Sequence, residues 1–257
     1  MYLPSFSLSN KKAIVTGAGK GIGQALAIGL AQAGADVGLI SRTGSDLDVT
    51  RQLIEKHSSR QAICMVADVT DRQQMKEAFE RFELAFGAPD ILVNNAGMNI
   101  RSKALDVTDA EWNTIVQTNL HSALIASQLA AERMKENGGG RIINIASVAG
   151  QVALRTGVAY GVTKAGLIQM TKILSMEWAQ YGIQVNAVGP WYFRTPLTEQ
   201  MLANEQYMQE ILDRTPMKRV GNLEELVGPV VFLSSEAAGY ITGQTLMVDG
   251  GMSVFGF

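Results

Sequence analysis

The stretch TGAGKGIG, Thr16 to Gly23, places four glycines and a lysine where an apolar run, KKAIVTG, hands over to a helical pattern. A glycine-rich turn that leaves a parallel strand and opens a helix aims free backbone N–H groups and the positive end of the helix dipole at one point, which suits a pyrophosphate. The spacing is T-G-x-x-x-G-x-G, over Thr16, Gly17, Gly21 and Gly23. Neither the G-x-G-x-x-G dinucleotide pattern nor a P-loop is present in it. Taken alone, such glycines can also serve a plain tight turn, the lesser of the two readings.

Outward from this turn, KKAIVTG, ADVGLI, QAICMVADV, PDILVNNAG, GRIINIAS, GIQVNAVGP and TLMVDGG read as strands, and most are separated by a segment long enough for a crossover helix. The strands are apolar throughout instead of at every second residue, as expected when both faces of a parallel sheet are covered. The pattern predicts an α/β fold: a Rossmann-like, doubly wound, seven-stranded parallel sheet with helices on both faces. No repeat or long linker interrupts residues 1–257, which reads as a single dinucleotide-binding catalytic domain. One insertion breaks the rhythm, PWYFRTPLTEQMLANEQYMQEILDRTPMK after the sixth strand. Its position past a strand's carboxyl end predicts a substrate lid at about 191–218.

Composition narrows the choices. With 47% hydrophobic residues in 257, the chain can bury a large core. Its 22 basic and 24 acidic residues are scattered and leave a net charge of -2, which argues against nucleic acid as a partner. The opening MYLPSFSLSNKK has no secretory pattern, and the one cysteine, Cys64, has no intramolecular disulfide partner, so a cytoplasmic location is expected. The apolar window from Ala25 is broken by Gln32, Gly34 and Asp36, so no membrane span is expected. With only His57 and His121, no His-x-x-x-His and no paired cysteines, no metal site is expected either, and Ser147 lacks the G-x-S-x-G context of a hydrolase.

The end of the second strand carries Ser41 and Arg42, roughly 20 residues past the glycines, where an NAD-binding fold places an acid for the ribose hydroxyl. A hydroxyl and a guanidinium there accept a 2′-phosphate, and Lys20 adds a second cation on the same side. The expected cofactor is NADP(H). Farther on, YGVTK sets Tyr160 and Lys164 on one helical face. A neighbouring ammonium favours the phenolate, so Lys164 is expected to lower the pKa of Tyr160. Ser147 closes the fifth strand on the same side as the glycine turn and can polarise a carbonyl. Asn119 sits inside a helix, where asparagine is a poor former, and its side chain is expected to hold a water that resupplies the proton.

This ordered set, TGAGKGIG, the NNAG of Asn94 to Gly97, Asn119, Ser147, Tyr160 and Lys164, resembles the classical short-chain dehydrogenase/reductase family from about Asn10 to Gly251. The resemblance implies reversible hydride transfer between a nicotinamide and a carbonyl or secondary alcohol carbon. It also implies cofactor contacts from Gly17, Gly19, Lys20, Gly21, Ile22 and Gly23 in the turn, from Asp68 and Val69 at the adenine, and from Asn95, Ala96 and Gly97. Tyr160, Lys164, Pro190 and Thr195 complete that set, Thr195 at the nicotinamide amide, while Asn94 braces the central strands and the cofactor. One departure stands out. The family usually has Pro-Gly after the sixth strand, but here Gly189 and Pro190 are followed by Trp191, which reads as a substrate-pocket wall or as core packing.

For the substrate, FSLSNKKAIVTG, NNAGMNIRSKAL, GPWYFRTPLT and ILDRTPMKRVGNLEEL are most similar to the sugar-acid branch of the family, the gluconate 5-dehydrogenases and deoxygluconate dehydrogenases. Arg101 and Arg155 are candidate clamps for a substrate carboxylate. The alternatives are a 3-oxoacyl-[acyl-carrier-protein] reductase, a general carbonyl reductase, or an NADP-binding regulatory subunit without activity. SMEWAQYG and NGGGR are sparse in the basic charge that docking an acidic carrier protein needs, and the intact tyrosine–lysine–serine–asparagine set argues against a mere binder. Two long apolar helices, from about Asp109 to Asn137 and from Val158 to Gln180, together with the tail VFGF, predict a homodimer or homotetramer.

Overall fold

The computed structural model describes residues 2–196 and 198–256. Its strands are β1 (Lys12–Thr16), β2 (Asp36–Ser41), β3 (Ala62–Val66), β4 (Ile91–Asn94), β5 (Gly140–Ile145), β6 (Ile183–Pro190) and β7 (Thr245–Val248). They form one parallel sheet in the order β3-β2-β1-β4-β5-β6-β7. The order reverses between β1 and β4, and the carboxyl ends of those two strands open the crevice where such sheets bind ligands.

The all-apolar strands have a direct explanation in the packing. Ala13 and Val15 point to one face and Ile14 to the other, and Ile91 and Val93 alternate with Leu92 in the same way. Each face therefore needs its own cover. Helices α1 (Gly21–Gln32), α2 (Gly44–His57) and α9 (Glu224–Ser234) cover one; α3 (Arg72–Phe86), α5 (Ser122–Glu136) and α6 (Val158–Trp178) cover the other. No helix among the described residues is long and apolar enough to cross a membrane.

Three details shape the site. The helix expected from Asp109 to Asn137 consists of α4 (Asp109–Val116) and α5 joined by a widened π-type turn at Gln117–His121, with Asn119 buried inside it. Such turns occur where a side chain needs a backbone displaced from helical register. Ser147 lies two residues beyond β5, where its hydroxyl accepts the Ala149 N–H at 3.1 Å and caps a short 3-10 turn over Val148–Gly150. The 191–218 insertion forms α7 (Glu199–Leu202) and α8 (Glu205–Asp213), and Phe193 bridges to Gly221. Leu197 of that insertion and the last residue of the VFGF tail, Phe257, lie outside the described residues.

Candidate active site

The glycine turn is built by close approach. Gly17 has φ +66°, and a Cβ there would lie 2.9 Å from Ala96 Cα; one on Gly23 would lie 2.1 Å from the Gly17 carbonyl oxygen. Side chains hold the turn's carbonyls. Asn95 donates to the carbonyls of Thr16 and Gly17 at 3.0 and 3.1 Å, Gln24 donates to Gly19 at 3.2 Å, and Thr50 donates to Ala18 at 3.0 Å. Gln24 and Thr50 carry no sequence signal for this work, because they come from α1 and α2 and meet only in three dimensions.

No side chain caps the start of α1 at Lys20, so its first backbone N–H groups are left without a side-chain partner, as they also are in α2, α6 and α9. The glycine turn of α1 adjoins two cavities of about 570 and 650 Å³, both lined by Gly17, Lys20, Ala96 and Gly97. An uncapped helix terminus above a glycine cradle fits a dinucleotide pyrophosphate.

The smaller cavity would take the adenosine end of such a dinucleotide. Ser41, Arg42, Asp68 and Val69 line it, as does Gly19. Thr70 donates both its N–H and its hydroxyl to the Asp68 carboxylate, at 2.9 and 2.8 Å. The backbone bond holds the Asp68 pKa below the usual carboxylate value, burial works against it, and the Thr70 hydroxyl and the Arg42 charge help. Lys20 does not stand free beside Arg42. Its ammonium is 3.0 Å from Asp46, an acid in the first turn of α2 that also lines the cavity. Asp46 is a site residue that sequence reasoning passed over, since an acid at a helix start is ordinarily explained by the dipole alone.

The larger cavity would take the reacting end, and Ser147, Tyr160 and Lys164 line it together with Gly21, Ile22, Gly23, Pro190 and Thr195. Burial pushes the Tyr160 phenol above the ordinary tyrosine pKa, while the neighbouring Ser147 hydroxyl and the Arg101 charge pull it down. The expected depression by Lys164 is therefore not the governing influence. Lys164 Nζ donates to the Ile145 carbonyl at 2.7 Å and stands 5.7 Å from the centre of the Tyr160 ring. Burial lowers its own pKa to about 8.

Asn119 binds the loop after β4 with its side chain: its oxygen accepts the Met98 N–H at 2.7 Å and its nitrogen donates to the Met98 carbonyl at 2.8 Å. The widened helical turn is what lets the amide reach across to that loop. Asn94 braces the central strands, as expected. Its nitrogen donates to Ser127 and Asn144, both at 2.9 Å, which ties β4 to α5 and β5 but keeps Asn94 off the crevice walls.

Of the substrate candidates, Arg101 and Trp191 line the larger cavity and Arg155 does not. Arg101 donates to the phenols of Tyr207 and Tyr192 at 2.8 and 3.3 Å. Arg155 pairs with Glu210 on α8 and borders a separate groove of about 740 Å³. The Trp191 N–H donates to Thr215 at 3.1 Å and its ring meets Tyr192 edge-on, so the indole both packs against the insertion and walls the crevice.

Comparison with known proteins agrees with this architecture. The family described as enoyl-(acyl carrier protein) reductase matches residues 17–253. Gluconate 5-dehydrogenase of Gluconobacter oxydans (strain 621H) is 40% identical over 250 residues, which cover 97% of each chain. 2-Dehydro-3-deoxy-D-gluconate 5-dehydrogenase of Escherichia coli (strain K12) is 40% identical over 257 residues, 98% of each. The crystal structure of a gluconate 5-dehydrogenase from Burkholderia cenocepacia J2315, in complex with NADP and tartrate, superimposes over 100% of both chains with a TM-score of 0.94 at 36% identity. The chain belongs to the short-chain dehydrogenase/reductase family and is an oxidoreductase of that class.

Proposed function

We propose that this protein catalyses NADP(H)-dependent hydride transfer between the nicotinamide and the carbonyl or secondary alcohol carbon of a small polar, sugar-acid-like substrate, in the manner of a gluconate 5-dehydrogenase. The observation that carries this reading is the convergence of Ser147 and Tyr160 on the crevice that the glycine turn opens. The bound coenzyme supplies or accepts the hydride. Tyr160 holds the proton at its phenolic oxygen and delivers it to the carbonyl oxygen, and Ser147 donates a hydrogen bond to that same oxygen. Lys164 fixes the floor of the site through Ile145, and Asn119 fixes the loop opposite.

Preference for NADP(H) rests on Ser41 and Arg42 at the adenosine end and on the Burkholderia relative, which was crystallised with NADP. Arg101 is the proposed carboxylate clamp, and residues 191–218 are the proposed lid. A homodimer or homotetramer is proposed from α6, where Val158, Val162 and Met176 are 42%, 47% and 74% exposed. Sedimentation at micromolar concentration as a monomer would contradict it. The function is tested by following NADPH and NADH oxidation with 5-ketogluconate, an acetoacetyl thioester and simple diketones. The reading expects ketogluconate with NADPH to lead; equal use of both coenzymes defeats the cofactor assignment, and turnover of the thioester alone defeats the substrate class.

A further inference from the structure

Arg101 and Arg155 both reach helix α8, and they meet different partners there. Arg155 pairs with the carboxylate of Glu210, away from the reaction cavity. Arg101, which lines that cavity, is met instead by the phenol of Tyr207, about one turn earlier on the same face of α8. Its guanidinium donates to the Tyr207 oxygen at 2.8 Å and to the Tyr192 oxygen at 3.3 Å, and the two phenol oxygens lie 2.5 Å apart. The guanidinium carbon also stands 5.8 Å from the centre of the Tyr207 ring.

The chemistry of each partner decides what the arginine has left to offer. A carboxylate such as that of Glu210 holds an arginine and cancels its charge, whereas a protonated phenol holds it and leaves the charge standing. Burial, reinforced by the hydrogen bond with Tyr207, pushes the Tyr192 phenol up to about 12, so it stays neutral near pH 7. Among the described residues no acid pairs with Arg101, whose side-chain partners are the two phenols. A guanidinium carries more N–H groups than two phenols accept, so Arg101 keeps donors as well as charge for an anion.

Tyr207 is itself fixed. Its backbone N–H donates to the Asn204 side chain at 2.9 Å at the start of α8, and its ring meets Tyr192 edge-on beside the small apolar cluster of Leu202, Ile211 and Val220. It does not line the cavity, so its influence on a ligand passes through the residues it touches. A long arginine side chain left free loses conformational freedom on binding, and a neighbour that orders it beforehand removes that cost.

We propose that Tyr207 is a positioning residue: from α8, outside the cavity, it holds the Arg101 guanidinium at the cavity wall, ready for a carboxylate on the substrate. This deepens the carbonyl-reduction reading and rests on it and on Arg101 as the carboxylate clamp. The test follows NADPH oxidation by the full-length protein with 5-ketogluconate and with its methyl ester, which keeps the carbon chain and removes the charge. The unaltered enzyme should favour the acid in kcat/KM by about tenfold or more. Tyr207→Phe should raise the KM for the acid by about fivefold, with its kcat, both constants for the ester and the NADPH Kd within about twofold. Arg101→Ala should abolish the preference, and adding Tyr207→Phe to it should change nothing further, as expected of two residues acting as one unit. Glu210→Gln, which breaks the other contact on the same face of α8, should leave the acid-to-ester ratio as it is.

An unchanged KM for the acid in Tyr207→Phe overturns the role of Tyr207. Equal losses on acid and ester overturn it too, as does a further loss on top of Arg101→Ala or a fall of the ratio in Glu210→Gln of the same size. An unaltered enzyme that reduces acid and ester equally well overturns the clamp and this role with it, and leaves carbonyl reduction standing. A protein that binds NADPH and reduces neither of these nor simple diketones overturns both readings.

Discussion

The two ends of the crevice are built on opposite electrostatic terms. At the adenosine end the charges of Lys20, Arg42, Asp46 and Asp68 stand at a cavity rim, with the Lys20 side chain 67% exposed and paired to an acid. At the reaction end Lys164 and Asn119 are 4% and 1% exposed and are anchored to backbone groups. Water and salt screen the first set, so each of its charges is worth little and can be exchanged. Burial amplifies the second set, so each group matters and none can be removed cheaply. On the proposed function, coenzyme choice is therefore expected to be adjustable and the chemistry is not.

The sharpest way to break that contrast is Tyr160→Phe, which keeps the ring and removes the proton. Turnover should drop by about a thousandfold while NADPH binding, followed by its fluorescence, stays within about twofold. Unaffected turnover would show that another group is the acid. Next comes Lys164→Met, in which activity falls by about a hundredfold or more but stability does not fall with it. The lysine pKa drops from 10.5 to about 8 on burial, a penalty of about 3 kcal/mol for the charged form. Because the unfolded chain binds the extra proton between those values, the native enzyme should gain stability as pH rises from about 8 toward 10.5. Below about pH 8 that penalty applies in full. Urea midpoints at pH 7 and 9.5 check this, and the rise should be absent in Lys164→Met; a native protein with the same midpoint at both would refute the buried charge.

Smaller effects belong to the exposed end. Arg42→Ala should raise the KM for NADPH about tenfold and leave that for NADH within twofold, with the difference shrinking as salt increases. The smallest is Asp46→Asn, which releases Lys20 from its ion pair and should lower the KM for NADPH by about twofold to fivefold. A larger change from Asp46→Asn than from Arg42→Ala would reverse the ranking of the two cations.

Each part of the site was legible to the degree that its physics is local. TGAGKGIG could be read because the turn, the uncapped helix and the anion cradle are consecutive in the chain. Tyr160 and Lys164 could be paired because helical periodicity puts them on one face. The commitment of Asn119 to Met98 was not legible, since it depends on a widened helical turn and on a loop 21 residues away. The pairing of Lys20 was not legible for a similar reason: its partner Asp46 comes from a different helix, and an ion pair between elements leaves no spacing to read. Arg155 and Glu210, 55 positions apart, meet only once the insertion has folded.

By itself the sequence determined the parallel sheet and the glycine turn at its switch point, because periodicity and turn chemistry act over a few neighbouring residues. Only the tertiary structure decided which charges are paired, such as Lys20 with Asp46 and Arg155 with Glu210, and in which direction burial shifts Tyr160 and Lys164. Those properties depend on solvent exclusion and on distances between segments remote in the chain, and both come into being only when the elements pack.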